Sequence, residues 1–88
     1  MLPNYHRMWE VVEEHRFTAE LSALIPNAIR ADEFLEGAVW ALARKPTLGT
    51  NAAGNVWHLP MFGTDLAIYY TFDDTKVYMH SIQAAPKD

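Results

Sequence analysis

Cysteine is absent from these 88 residues, so neither a disulfide nor a thiolate metal site can hold the chain together. A reducing compartment suits that composition. No run of about 18 uncharged apolar residues occurs, which leaves no candidate for a membrane-spanning helix. The opening Met1-Leu2-Pro3-Asn4-Tyr5-His6 lacks the basic start and apolar core of a signal peptide, so the expected location is the cytoplasm. Basic charge is also scarce. Seven Lys and Arg stand against eleven Asp and Glu, a formal net charge of −4. Proteins that grip nucleic-acid phosphates unaided carry a basic surplus, because each contact neutralises a backbone charge. Strong, autonomous nucleic-acid binding is therefore not expected, although a local basic patch remains compatible. Repeats and low-complexity tracts are missing as well.

What remains is a globular composition, 50% apolar and 20% charged, in one small domain spanning residues 1–88. Its aromatic content suggests that part of the apolar surface serves a partner. Three runs rich in aromatic and β-branched residues, Val56–Leu59, Leu66–Phe72 and Lys76–Ile82, are separated by turn-formers and predict an antiparallel meander. Met8 to Glu13 predicts a first short strand. Phe17, Leu21, Leu24 and Ile25 then recur at helical spacing until Pro26-Asn27 ends the run.

A second helix is expected from about Ala31, with Asp32 and Glu33 at its positive end and Phe34, Leu35, Ala38, Val39 and Leu42 on one face. Arg44 and Lys45 suit its last turn and Pro46 stops it. Pro46 to Asn55 is expected as a polar loop. The order strand, helix, helix, strand, strand, strand predicts an α+β fold, an antiparallel sheet of about four strands with a helical hairpin on one face. The other face is left to solvent or a partner.

Alternation along the strands assigns the faces. Leu66, Ile68, Tyr70 and Phe72 should meet the helices, and Ala67, Tyr69 and Thr71 should point away. With Asp73–Lys76 as the turn region, Phe72 pairs with Val77, Tyr70 with Met79 and Tyr69 with His80. That register sends Val77 and Met79 to the core and Tyr78, His80 and Ile82 to the open face. Trp57 and Leu59 read as core residues, leaving His58 on the open face. His58, Tyr69 and His80 are thus expected to form a row across three strands.

In element order and in several local features the chain, from about Met8 to Lys87, resembles the toxins of the RelE/ParE superfamily of bacterial type II toxin–antitoxin modules. Trp9-Glu10-Val11-Val12 leading to Phe17 and Leu21 is similar to the family's first strand and helix. Ala41 to Gly49 is similar to its helix-end P-x-x-G passage, and Gly54 to Leu59 to its entry into the following strand. Leu66 to Ile82 resembles its last two strands. None of these motifs is specific alone, and their order carries the resemblance.

The resemblance implies an antitoxin partner, docking on the helical surface or the sheet edge, and one of two targets. RelE-like members resemble ribosome-dependent mRNA endonucleases, and ParE-like members inhibit DNA gyrase. The nuclease branch carries basic residues on the open face, at positions that appear in this chain as His58, Ala67 and Lys87. Ala67 departs from that pattern, since it cannot hold a phosphate, and the tail that supplies a catalytic tyrosine in some nucleases is not expected after Asp88. A degenerate, non-catalytic member acting as a protein-binding module is the remaining alternative, and a homodimer stays open.

Cleavage of RNA through its 2′-hydroxyl needs a base, an acid and a cation for the phosphate. Histidine titrates near neutrality and suits either proton role. The candidate catalytic set is accordingly His58, His80, Tyr69 and Lys87, working without a cofactor. Ordinary half-exposed strand histidines are the simpler account of the same residues. A metal site is not expected, because two histidines flanking a middle strand lie roughly 10 Å apart, twice the strand spacing. Tyr69, Tyr78 and Ile82 offer a stacking or docking surface instead.

Overall fold

The computed structural model describes residues 8–86. Its elements run β1 (Glu10–Glu13), α1 (His15–Leu24), α2 (Ala28–Arg44), a 3-10 turn (Pro46–Leu48), β2 (Thr50–Ala53), β3 (Val56–Pro60), β4 (Leu66–Phe72) and β5 (Lys76–Ala84). The α+β class and the helical hairpin agree with the sequence. Both helices bury one stripe: Phe17 and Leu21 from α1, and Phe34, Ala38 and Leu42 from α2, pack on Ile68, Tyr70, Val77, Met79 and Ile82 of the sheet. No helix among the described residues is long and apolar enough to cross a membrane.

The sheet departs from expectation in two ways. It has five strands in the order β1-β5-β4-β3-β2, and β1 runs parallel to β5. An apolar pattern tells which face a strand buries, but it carries no direction. The β1–β5 pairing depends on where the two helices return the chain. The fifth strand, β2, lies where a polar loop was expected. Thr-Asn-Ala-Ala has little strand preference of its own, so the pairing with β3 imposes it. The connecting turn holds Gly54 at φ 56°, and Asn51 Nδ2 donates to the carbonyls of Gly54 and Val56.

The helix boundaries also have identifiable causes. Asn27 ends the first run and caps the second: its side chain accepts the Arg30 N–H at 3.0 Å, so α2 begins three residues before Ala31. At the other end, Arg44 donates to the Trp40 carbonyl and lies 4.2 Å from the centre of the Trp40 ring. Pro46 follows directly after the cap at Lys45.

One polar knot ties the helical layer to the sheet. The Tyr70 hydroxyl, buried in the core, donates to the Pro46 carbonyl at 2.5 Å and accepts the Gly49 N–H at 3.2 Å. A side chain at Gly49 would collide with the His58 carbonyl and come within 2.6 Å of the Tyr70 hydroxyl. The Pro-x-x-Gly passage therefore has a physical reason. Its proline turns the chain off the helix, and its glycine lets two backbones and a phenol meet. Burial also pushes the Tyr70 hydroxyl above the ordinary tyrosine range.

Candidate functional site

The open face of the sheet carries the residues singled out from the sequence. His58 on β3 stands directly opposite Tyr69 on β4, and their rings stack with centroids 5.6 Å apart at 27°. Thr50 pairs with His58 on the outer side. The His58 ring is half-buried, and its Nδ1 is covered without a hydrogen-bond partner among the described residues.

The third member of the expected row is displaced. From Phe72↔Val77 the β4–β5 register runs as anticipated to Tyr70↔Met79, and there it shifts, so that Tyr69 faces Ser81 rather than His80. His80 is the extra residue of a β-bulge. It turns toward Thr71, sharing a 2.8 Å hydrogen bond between Nε2 and the threonine hydroxyl, and stacks on Tyr78 at 6.4 Å. The row across the face is therefore Thr50, His58, Tyr69 and Ser81, with His80 set beside it. The same shift corrects the placement of Ile82. It turns inward opposite Ile68 and is 2% exposed, so it belongs to the core and not to the open face.

Ala67 lies between Pro60 and Gln83 in the register and is fully buried, and its methyl group offers no charge to a phosphate. Lys87 lies outside the described residues. Among the described residues, Lys76 is the sole Lys or Arg in the five strands, and it stands opposite Glu10. The open face thus offers imidazole, phenol and hydroxyl groups with little positive charge. No group of three potential metal ligands occurs among the described residues.

Two carboxylates outside the face are held by backbone donors. Asp73 in the β4–β5 turn accepts the Thr75 and Lys76 N–H groups at 2.8 and 2.7 Å, which lowers its pKa below the ordinary carboxylate range. Glu20 of α1 accepts the Ile82 N–H at 2.9 Å. That bond, more than its ion pair with Arg16, lowers its pKa too. Sequence reasoning missed Ser81, Glu20 and the role of Thr71, because each depends on the bulge and no local pattern announces one.

A separate concavity lies between the α1–α2 corner and the β3–β4 loop. It is a groove of about 900 Å³ lined by Leu24, Pro26, Phe34, Gly37, Met61 and Phe62, among others, with the Phe62 ring wholly exposed. None of His58, Tyr69 and His80 lines it.

No protein-family model and no curated protein matches the chain. Solved structures do. A chain of the RelBE2 toxin–antitoxin complex from Mycobacterium tuberculosis superposes with a TM-score of 0.71 at 17% identity, covering 91% of this chain and 94% of that one. A chain of the chromosomal ParDE toxin–antitoxin system from P. aeruginosa gives 0.68 at 14% identity, covering 91% and 99%. The chain therefore shares its fold with chains of these two toxin–antitoxin assemblies over most of its length.

Proposed function

We propose that this chain is the toxin component of a type II toxin–antitoxin system. One observation carries the reading: the fold is shared with chains from two such systems, with 91% of this chain covered in each. Its partner is a short antitoxin protein that neutralises it by docking on the helical layer or along β2, an outermost strand of the sheet among the described residues, where a further strand could pair.

The open face is the acting surface, and the chemistry available there is proton transfer. In a metal-independent endoribonuclease, one group takes the proton of the 2′-hydroxyl and another protonates the leaving 5′-oxygen. His58 and His80 are the side chains for those two roles, with Tyr69 holding the His58 ring and Lys87 assigned to the phosphate. The ribosome would then present the mRNA, consistent with a chain too acidic to bind RNA strongly by itself. A second reading, gyrase inhibition, is favoured by the scarcity of cations on the open face, since inhibition by docking needs no phosphate clamp.

Induced expression in a bacterium separates the readings. Growth arrest with cleaved mRNAs and unchanged plasmid supercoiling supports the nuclease, provided that His58→Ala with His80→Ala relieves it. Arrest with altered supercoiling and intact mRNAs supports gyrase inhibition. Unimpaired growth refutes the toxin assignment.

A further inference from the structure

Beyond Met79, β5 has no strand beside it on one flank among the described residues, because β1 ends at Glu13, opposite Met79. Two groups from the start and middle of α1 hold that flank instead. The Glu14 N–H donates to the Met79 carbonyl at 3.1 Å. Glu20 Oε1 accepts the Ile82 N–H at 2.9 Å, while its Oε2 takes Arg16 Nε at 3.1 Å. Between these anchors lie only His80 and Ser81, the residues of the bulge.

The anchoring discriminates between two registers. Along a regular strand, the N–H and C=O of one residue point to one flank and those of the next to the other. Met79 points its carbonyl to the β1 flank, so in an unbulged strand Ser81 would point there too and Ile82 would point its N–H at β4. That register would also set His80 against Tyr69 and turn Ile82 outward. The extra residue reverses the alternation. It delivers the Ile82 N–H to Glu20, buries Ile82 against Ile68, and leaves His80 and Ser81 together on the open face.

We propose that Glu20 is the positioning residue of the open face. From the helical side of the sheet its carboxylate selects the bulged register, which aims His80 at Thr71 and sets Ser81 beside Tyr69. The consequence for activity rests on the open face being the acting surface, as proposed above, whereas the geometric part does not.

Nuclear magnetic resonance of the full isotopically labelled chain tests it. The readouts are the nuclear Overhauser contact between the His80 ring and the Thr71 methyl and the contact between Ile82 and Ile68. Glu20→Gln keeps a carbonyl oxygen at the same reach and is expected to retain both contacts. Arg16→Ala, which removes only the exposed ion pair, is expected to retain them as well. Glu20→Ala is expected to lose the His80–Thr71 contact and gain one between His80 and Tyr69, while resonances of Val77 and Phe17 stay in place. If the alanine chain does not fold, Glu20→Asp, one methylene too short to reach Ile82, carries the same expectation. Either variant keeping the His80–Thr71 contact overturns the proposal, and so does its loss in Glu20→Gln. In the expression assay, arrest should weaken with Glu20→Ala and persist with Glu20→Gln. A parent chain that fails to arrest growth refutes the toxin assignment and leaves the resonance result standing by itself.

Discussion

Replacing Tyr70 with phenylalanine removes one oxygen from the middle of the fold and leaves the ring in place. That oxygen serves two backbone groups at once, donating to the Pro46 carbonyl and accepting the Gly49 N–H. Pro46 is buried and Gly49 half-buried, so water cannot fully replace the lost partner. Leaving a buried polar group unsatisfied costs about 1–3 kcal/mol. The carbonyl contributes most of that penalty, since the Gly49 N–H is the better placed to find solvent. We expect a loss of about 2 kcal/mol, equivalent to a fall in Tm of roughly 8–16 °C for a domain of this size. Thermal unfolding followed by circular dichroism measures it. Tyr69→Phe is the control: it removes the same atom from the adjacent residue, whose hydroxyl has no hydrogen bond among the described residues, and should change stability by less than about 0.5 kcal/mol. A Tyr70→Phe chain as stable as that control would refute the argument that this hydroxyl ties the helix exit to the sheet.

Gly49→Ala should destabilise by about 1–3 kcal/mol, because its methyl group has nowhere to go between the Tyr70 hydroxyl and the His58 carbonyl. Urea unfolding reads the loss, and a perturbed His58 ring resonance would show that the strain reaches the open face. Stability should also fall in acid. Glu20 and Asp73 have lowered pKa values in the folded chain, so each contributes stability that is complete above the ordinary carboxylate pKa and lost as pH drops through the folded value. Tm measured between pH 6 and pH 3 should decline toward the acid end, and more shallowly in the Glu20→Gln and Asp73→Asn variants. An unchanged slope in both would show that these carboxylates are not held as described.

What the sequence made legible followed from patterns that local chemistry enforces. The apolar stripes of Phe17–Leu21 and Phe34–Leu42 could be buried in few other ways, and Leu66–Phe72 was delimited to the residue by the turn-formers around it. The hairpin at Asp73 anchored the Phe72–Val77 and Tyr70–Met79 pairs correctly. What escaped was decided at longer range. The Thr50–Ala53 strand exists because β3 lies beside it, and the parallel course of β1 depends on the path through two helices. The bulge at His80 defeated parity two residues later, moving Ile82 from the open face to the core. Its cause is a carboxylate 62 positions away in sequence, at Glu20, which no window along the strand contains. His58 and Tyr69 were placed together correctly because the short β3–β4 register has no such interruption.

Whether this chain is a toxin that acts through its open face is read from growth after induced expression, with and without the open-face histidines. The parent chain should arrest growth, a co-expressed cognate antitoxin should relieve that arrest, and a chain carrying both His58→Ala and His80→Ala should arrest growth more weakly. Normal growth of cells producing the folded parent chain would contradict the toxin assignment.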